Sequence, residues 1–270
     1  MPTLSIHTVR NLQEFAKFLE DRLSKPDSYL WFRGCGQAGY CLIPSLYRHP
    51  TLNRIEALLE IESKILVRFK QRSIPYLTRA LVTDWEYLFF MQHFGIPTRL
   101  LDWTENPHVA LYFALTVAQY QLIGASGSYI EDAAIWVLNP VAWNQKVLTH
   151  IGYTGGILSV SDSEARGYAP LPEISLMPSE PIAIYGAHNS PRIIAQRGVF
   201  TICGKNLEPM EKIYEVNNFP QDSLIKLVIP KTEIERLLHS LVAIGYHDSA
   251  IFPDLDGLAK ETRRIFGYKV

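Results

Sequence analysis

An arginine follows directly on an apolar run near the start of the chain. The run YLWF at 29–32 is typical of a buried strand, and Arg33 and Gly34 come next. Arginine is rarely buried without a partner, so Arg33 is predicted to mark the mouth of a site where an anionic group meets the sheet edge. Its planar fork of donors suits phosphate, and Gly34 would let a ligand approach the backbone closely. The alternative is a structural arginine–carboxylate pair that closes the strand.

An acid, a flat aromatic ring and a hydroxyl follow one another at Asp102, Trp103 and Thr104, after a predicted strand over 98–102. Strand ends commonly present site residues, so we expect Asp102 and Thr104 to orient a ligand and Trp103 to contact it. Thr104 could instead cap the helix that begins near Pro107, which would leave Asp102 without a structural role. Arg99 is expected to hold a carboxylate in the neighbourhood of Asp102.

Two more groups of polar residues accompany buried elements. Gln92 and His93 end a predicted buried helix, where a histidine is either a ligand contact or a hydrogen-bonded core residue. A second group surrounds the turn at 190–191 and leads into a predicted strand. Its members are His188, Asn189, Arg192 and Gln196. We expect this group to form the second wall of a pocket.

Other chemistries find little support in the sequence. The chain has no G-x-S-x-G, G-x-x-x-x-G-K, G-x-G-x-x-G or H-E-x-x-H motif, which argues against common hydrolases, NTPases, Rossmann enzymes and zinc proteases. A third alternative is a metal-dependent nuclease that uses Asp84, Glu86, His93 and Asp102. Acids scattered in this way are usually helix caps or solvated residues, so no metal site is expected.

Composition narrows the class of partner. The 26 Lys and Arg balance 27 Asp and Glu, so there is no global signal for duplex DNA, and a small phosphorylated ligand fits better. The three cysteines lack C-x-x-C spacing, which favours a reduced, cytoplasmic protein. The N-terminal stretch lacks a long apolar region, and no apolar run reaches the ~20 residues that would span a bilayer. We therefore expect no membrane partner.

Hydrophobic periodicity predicts a single α+β domain, 1–270, with a mixed or antiparallel sheet and flanking helices. Helices are predicted over 11–24, 53–69, 84–94, from 107 onward, 232–243 and 255–266, and strands over 98–102, 134–138, 181–185, 199–203 and 224–229. Residues 124–128 are predicted to form a loop. The glycine- and proline-rich stretch 152–180 is predicted to be a long surface loop or a mobile lid.

Four stretches together resemble the FRG domain, a family named for its Phe-Arg-Gly motif and met mostly in bacteria and their mobile elements. They are WFRG at 31–34, MQHFGIPTRLLDWTENPHVALYFA at 91–114, HNSPRIIAQRGVFTI at 188–202 and IFPDLDGLA at 251–259. The resemblance extends over about residues 25–260. It implies a bacterial protein with a toxin or defence context.

The order of motifs is also similar to that of the arginine–serine–glutamate class of ADP-ribosyltransferases. That similarity implies a cleft for NAD, in which Arg33 holds phosphate and ribose. Asp102-Trp103-Thr104 then stands where the family has Ser-Thr-Ser, and ALYFA at 110–114 matches the helix that follows. Gly34, Gln92, His93, Trp103, His188, Asn189 and Arg192 would line the nucleotide.

Gln196 departs from the family pattern, because a late glutamate is expected at that place. A carboxylate stabilises the positive charge that develops on the ribose when nicotinamide leaves, whereas an amide offers only a neutral hydrogen bond. Either Asp102 or Glu105 replaces the missing acid, or the protein is not a standard transferase. The sequence thus predicts an NAD-like nucleotide site, with ADP-ribosyl transfer to a macromolecule or NAD hydrolysis as its activity. The alternative is a non-catalytic domain that recognises a nucleotide, protein or nucleic acid.

Overall fold

The computed structural model describes residues 2–24, 29–77, 79–123, 126–186 and 191–268. Its strands are β1 (Ser5–Thr8), β2 (Trp31–Cys35), β3 (Leu100–Thr104), β4 (Tyr120–Ile123), β5 (Ser126–Tyr129), β6 (Ala133–Leu138), β7 (Ile182–Ile184), β8 (Gly198–Ile202) and β9 (Leu224–Ile229). Its α-helices are α1 (Leu12–Leu23), α2 (Ile55–Ser73), α3 (Asp84–His93), α4 (Pro107–Thr116), α5 (Pro140–Val147), α6 (Pro191–Gln196), α7 (Met210–Val216), α8 (Ile234–Ala243), α9 (Asp248–Ile251) and α10 (Leu255–Ile265).

Seven strands form one mixed sheet in the order β1-β9-β6-β2-β3-β8-β7, and β4 pairs with β5 in a separate hairpin. β1 runs parallel to β9, and the other neighbours in the sheet are antiparallel. With its flanking helices, this architecture confirms the α+β prediction and the mixed sheet.

The sheet is nearly divided between β2 and β3. β2 pairs along its whole length with β6, and β3 pairs along its whole length with β8. Between β2 and β3, both of which lie within the described ranges, the single residue pair is Phe32 with Thr104. The two strands therefore diverge beyond that pair, and their backbones leave an opening in the sheet.

The helix α4 covers one face of this junction. Asn106 begins it, because its side chain accepts hydrogen bonds from the backbone amides of His108 and Val109, and Pro107 occupies the first turn. Thr104 does not act as the N-cap residue. Most α4 residues are buried, so the helix is apolar on nearly all sides. Its packing against β2 excludes a side chain at Gly34, where a Cβ would lie 2.0 Å from the carbonyl oxygen of Ala110.

One loop prediction is wrong, and the structure decides between the alternatives of a second. Residues 126–128 belong to β5, while 124 and 125 lie outside the described residues. The stretch 152–180 contains no α-helix or strand and most of its residues are at least partly exposed, which agrees with a long surface loop. Leu158, Tyr168 and Met177 are nevertheless almost fully buried, and the Tyr168 hydroxyl donates to the Glu180 carbonyl at 2.6 Å, which does not fit a detached lid. Apolar side chains therefore attach this stretch to the core. Among the described residues, no helix combines the length and apolarity needed to cross a bilayer.

Candidate functional site

A cavity of about 260 Å³ lies at the opening between β2 and β3. Its polar lining comes from four parts of the chain: Arg33 and Gly34 on β2, Gln92 and His93 at the end of α3, Asp102 to Thr104 on β3, and Arg192 and Gln196 on α6. Phe32, Phe89, Phe113 and Phe200 are among its apolar walls. The volume is slightly below the roughly 300–1,000 Å³ of pockets that enclose a drug-sized ligand, so the cavity suits a small molecule or one part of a larger one.

Nine of the eleven residues predicted to form a site therefore line one cavity, although they are spread from position 33 to position 196. The other two, His188 and Asn189, lie outside the described residues. The hydrogen bonds and burial of these residues agree with some of their predicted roles and differ from others.

Arg33 bridges the opening in the sheet. Its Nη1 donates to the backbone carbonyl of Asp102 at 2.6 Å and lies 3.8 Å from Asp102 Oδ2. This hydrogen bond forms just beyond the Phe32–Thr104 pair, where the backbones of β2 and β3 no longer pair with each other. The pairing with a carboxylate that we considered as a structural alternative is thus present. The side chain is still 24 % exposed, on the wall of the cavity.

Asp102 is held by a chain of hydrogen bonds from α3. The amide Nε2 of Gln92 donates to Asp102 Oδ2 at 2.6 Å, and the Thr98 hydroxyl donates to Gln92 Oε1. The Asp102 carboxylate fixes which end of the amide faces it, because it only accepts hydrogen bonds and so requires the Gln92 nitrogen, and Thr98 then donates to the amide oxygen. The Asp102 side chain remains 57 % exposed, so an oriented carboxylate faces the cavity.

Trp103 and Gly34 differ from their predicted roles. Trp103 follows Asp102 on a strand, so its side chain points to the opposite face of the sheet. Its ring is 2 % exposed, and its Nε1 donates to Thr201 Oγ1 at 3.0 Å inside the core. The α4 backbone lies directly beside the Gly34 Cα, so the missing side chain makes room for the helix and not for a ligand. Both residues border the cavity, but packing explains their identities.

Thr104 and Gln196 connect the walls of the cavity. The Thr104 hydroxyl donates to the Gln196 carbonyl at 2.6 Å and accepts from the Asn106 amide at 3.0 Å. Gln196 Nε2 in turn donates to the Ile251 carbonyl at 3.3 Å. Arg197, next in sequence, has a left-handed backbone with φ of 46°, which is uncommon for a side-chain-bearing residue. The turn into β8 is thus strained where it meets the cavity.

His93 is half-buried at the end of α3. Burial lowers its pKa below the ordinary value of 6.5, and the charge of Arg192 acts in the same direction, while Asp102 and Asp254 oppose them. The imidazole is therefore mainly neutral at pH 7. It presents one donor and one acceptor and no positive charge.

Arg99 does not support Asp102, contrary to expectation. It is fully buried, and its Nε lies 2.9 Å from both carboxylate oxygens of Glu62 on α2. Its other nitrogens donate to the carbonyls of Tyr168, Ala169 and Cys203. Arg99 thus connects α2, β3 and the 152–180 stretch in the interior. No local pattern in the sequence indicates Glu62 as its partner.

The acids considered for a metal have other partners. Asp84 pairs with Lys70, and Glu86 accepts from the backbone amides of Val82 and Thr83 in the capping box of α3. Over the described residues, no three His, Cys, Asp or Glu side chains come together as metal ligands would.

Residues 28–121 match the family model of the FRG domain. The match supports the FRG assignment for the part of the chain that carries Arg33, Gln92, Asp102 and α4. The second wall, with Arg192 and Gln196, lies outside the matched segment. No curated protein and no solved structure matches the chain. The similarity to ADP-ribosyltransferases remains a prediction.

Proposed function

We propose that the cavity binds a nucleotide such as NAD and promotes cleavage of its nicotinamide–ribose bond, by ADP-ribosyl transfer or by hydrolysis. The observation that carries the proposal is the meeting of Arg33, Asp102 and Gln196 on one cavity, at an opening in the sheet. Such an arrangement supplies a cation for phosphate and an oriented carboxylate for the sugar.

In this reaction the bond between C1′ and the nicotinamide nitrogen breaks, and its electron pair leaves with nicotinamide. A water molecule, or a nucleophile on an acceptor, then forms the new bond to C1′ and releases a proton. Positive charge develops on the ribose as the bond breaks. Asp102 stabilises that charge in the place of the missing glutamate, since Gln92 already holds its carboxylate toward the cavity. Arg33 binds the phosphates, and Gln196 lies on the sugar side.

Calorimetric titration of NAD tests the binding step. The wild type should release heat, and Arg33→Ala should bind at least about tenfold more weakly, since a hydrogen bond to a charged group contributes roughly 1.5–3 kcal/mol. Arg72→Ala is the matched control, because Arg72 is exposed on α2 and does not line the cavity. If NAD gives no heat with wild type, the nucleotide proposal fails.

Nicotinamide release from NAD tests the catalytic step. We expect turnover by wild type, loss of roughly 100-fold or more in Asp102→Asn, and an unchanged melting temperature. Gln196→Glu should raise turnover, because it adds a second negative charge close to the developing cation. Inert wild type and inert Gln196→Glu, both folded and both binding NAD, would contradict catalysis.

A recognition domain is the second candidate, and one observation favours it. Gln196, at the place of the catalytic glutamate, is a neutral amide already bonded to the Ile251 carbonyl. A domain of this kind would bind its nucleotide without consuming it. NAD binding that survives prolonged incubation with no nicotinamide released would select this alternative.

A further inference from the structure

The second wall of the cavity is formed by α6, which packs against the end of α9 and the residue that follows it. Gln196 bonds to the Ile251 carbonyl, and the guanidinium carbon of Arg192 lies 4.5 Å from the centre of the Phe252 ring. Lys260 on α10 lies 4.8 Å from the same ring centre. The aromatic face thus holds Arg192 against the cavity and keeps a second positive charge nearby.

Arg192 lacks an ionic partner within the described part of the chain. No carboxylate there lies within 4.0 Å of its guanidinium, and no hydrogen bond to it is found among these residues. The side chain is nevertheless half-buried. Burial lowers its pKa, and the more distant charges of Asp102 and Asp254 only oppose that effect. A partly desolvated cation that lacks an anionic partner is stabilised when an anion enters the cavity.

Arg33 offers a second guanidinium from a different wall of the same small cavity. Asp102, at 3.8 Å, compensates part of the Arg33 charge, whereas Arg192 has no carboxylate so close in the described chain. His93 lines the same cavity, is mainly neutral and can donate a hydrogen bond to an oxygen. The positive charges on the cavity thus outnumber the one carboxylate that lines it.

We propose that Arg33 and Arg192 bind the two phosphates of a diphosphate, so that the ligand class is a diphosphate-linked nucleotide and not a nucleoside or a nucleoside monophosphate. This inference rests on the proposed function, because it names the part of the nucleotide that the cavity encloses. The volume of about 260 Å³ agrees with a site that encloses one part of a dinucleotide while the remainder lies outside.

The experiment is a calorimetric titration with inorganic pyrophosphate, inorganic phosphate and NAD, each at the same ionic strength. It uses wild type, Arg192→Met, Arg33→Met, Arg192→Lys and the control Arg72→Met. Methionine retains an apolar stem against Phe252 and removes the charge. Thermal unfolding of each variant establishes that it is folded, and Arg192→Lys reports on the charge where the methionine variant fails to fold.

We expect wild type to bind pyrophosphate at least about tenfold more tightly than phosphate, and each methionine variant on the cavity to lose that advantage. Arg192→Lys should retain part of it, since lysine keeps the charge without the planar fork. Arg72→Met should behave as wild type. Equal affinity of wild type and Arg192→Met for pyrophosphate overturns the inference. NAD binding with no preference for pyrophosphate over phosphate overturns it while leaving the proposed function in place, and absence of binding by all three ligands overturns both.

Discussion

Replacing Gly34 with alanine should disrupt the junction on which the cavity depends. The added Cβ would lie 2.0 Å from the Ala110 carbonyl oxygen and 2.5 Å from the Ala114 nitrogen. Carbon–oxygen contacts in proteins are seldom shorter than about 3.3 Å, so the α4 backbone would have to move away by more than ~1 Å. Both clashing atoms belong to a helix backbone, and no change of side-chain rotamer relieves the contact.

The loss of stability in Gly34→Ala should lie at or above the upper end of the usual range for an overpacked core. Such insertions typically cost about 1–3 kcal/mol, and here the element that must move is a helix with buried residues on most of its surface. We therefore expect the free energy of unfolding to fall by about 3 kcal/mol or more. With a urea dependence of roughly 1–3 kcal/mol per molar, the unfolding midpoint should fall by at least about 1 M.

Urea unfolding followed by tryptophan fluorescence measures this effect, with Gly156→Ala as the matched control. Gly156 is exposed and lacks a left-handed φ, and a Cβ added there would meet no atom of the described residues within 4 Å, so its substitution should stay within about 0.5 kcal/mol of wild type. A Gly34→Ala protein whose stability also lies within about 0.5 kcal/mol of wild type would refute the packing argument.

Three further predictions concern stability away from the ligand. Glu62→Gln should lower the free energy of unfolding in urea by about 3–5 kcal/mol, because it leaves the buried Arg99 charge uncompensated. The double variant Glu62→Leu with Arg99→Met should recover much of that loss, because it removes both charges. Equal losses in the two proteins would contradict the ion-pair reasoning. Burial lowers the pKa of His108 below 6.5, so the unfolded chain binds a proton at this residue before the folded protein does, and stability should fall as the pH drops below about 6.5. His108→Phe should show a smaller fall in the free energy of unfolding between about pH 7.5 and 5.5. An unchanged pH dependence in this variant would count against the assignment to His108. Arg197→Gly should raise the unfolding free energy by about 0.5–1 kcal/mol, because glycine adopts the left-handed backbone without strain. Arg72→Gly in the last turn of α2 should lower it by up to about 1 kcal/mol, and a loss at both positions would reject strain at Arg197.

The strongly patterned elements could be predicted from the sequence and the weakly patterned ones could not. Helical periodicity located α1, α2, α8 and α10 to within a few residues, and apolar runs located β6, β8 and β9. The strand β1 was missed because SIHT at 5–8 has little apolar pattern. It is a strand because its backbone pairs with that of β9. The helix α5 was missed although Asn139-Pro140 repeats the start signal of Asn106-Pro107.

For the candidate site, residue types predicted the members better than their contacts. Arg33 was predicted because arginine is rarely buried without a partner, and Asp102 because strand ends commonly present site residues; in the structure the two side chains pair with each other. Strand alternation alone would have separated Trp103 from Asp102, because adjacent strand residues face opposite sides. The pairing of Arg99 with Glu62 could not be predicted, since it depends on how α2 packs and on no local pattern.

The close approach of α4 to β2 explains two of the three residues in the Phe-Arg-Gly motif. Phe32 is 1 % exposed in the core beneath α4, and Gly34 leaves room for the helix backbone, so two of the three letters encode packing. Of the three, Arg33 is the residue that brings a charged side chain to the cavity. In this chain the motif therefore says more about how α4 packs on β2 than about the chemistry of the cavity. The chemistry depends equally on the residues of the opposite wall, Arg192 and Gln196, which lie far from the motif in sequence.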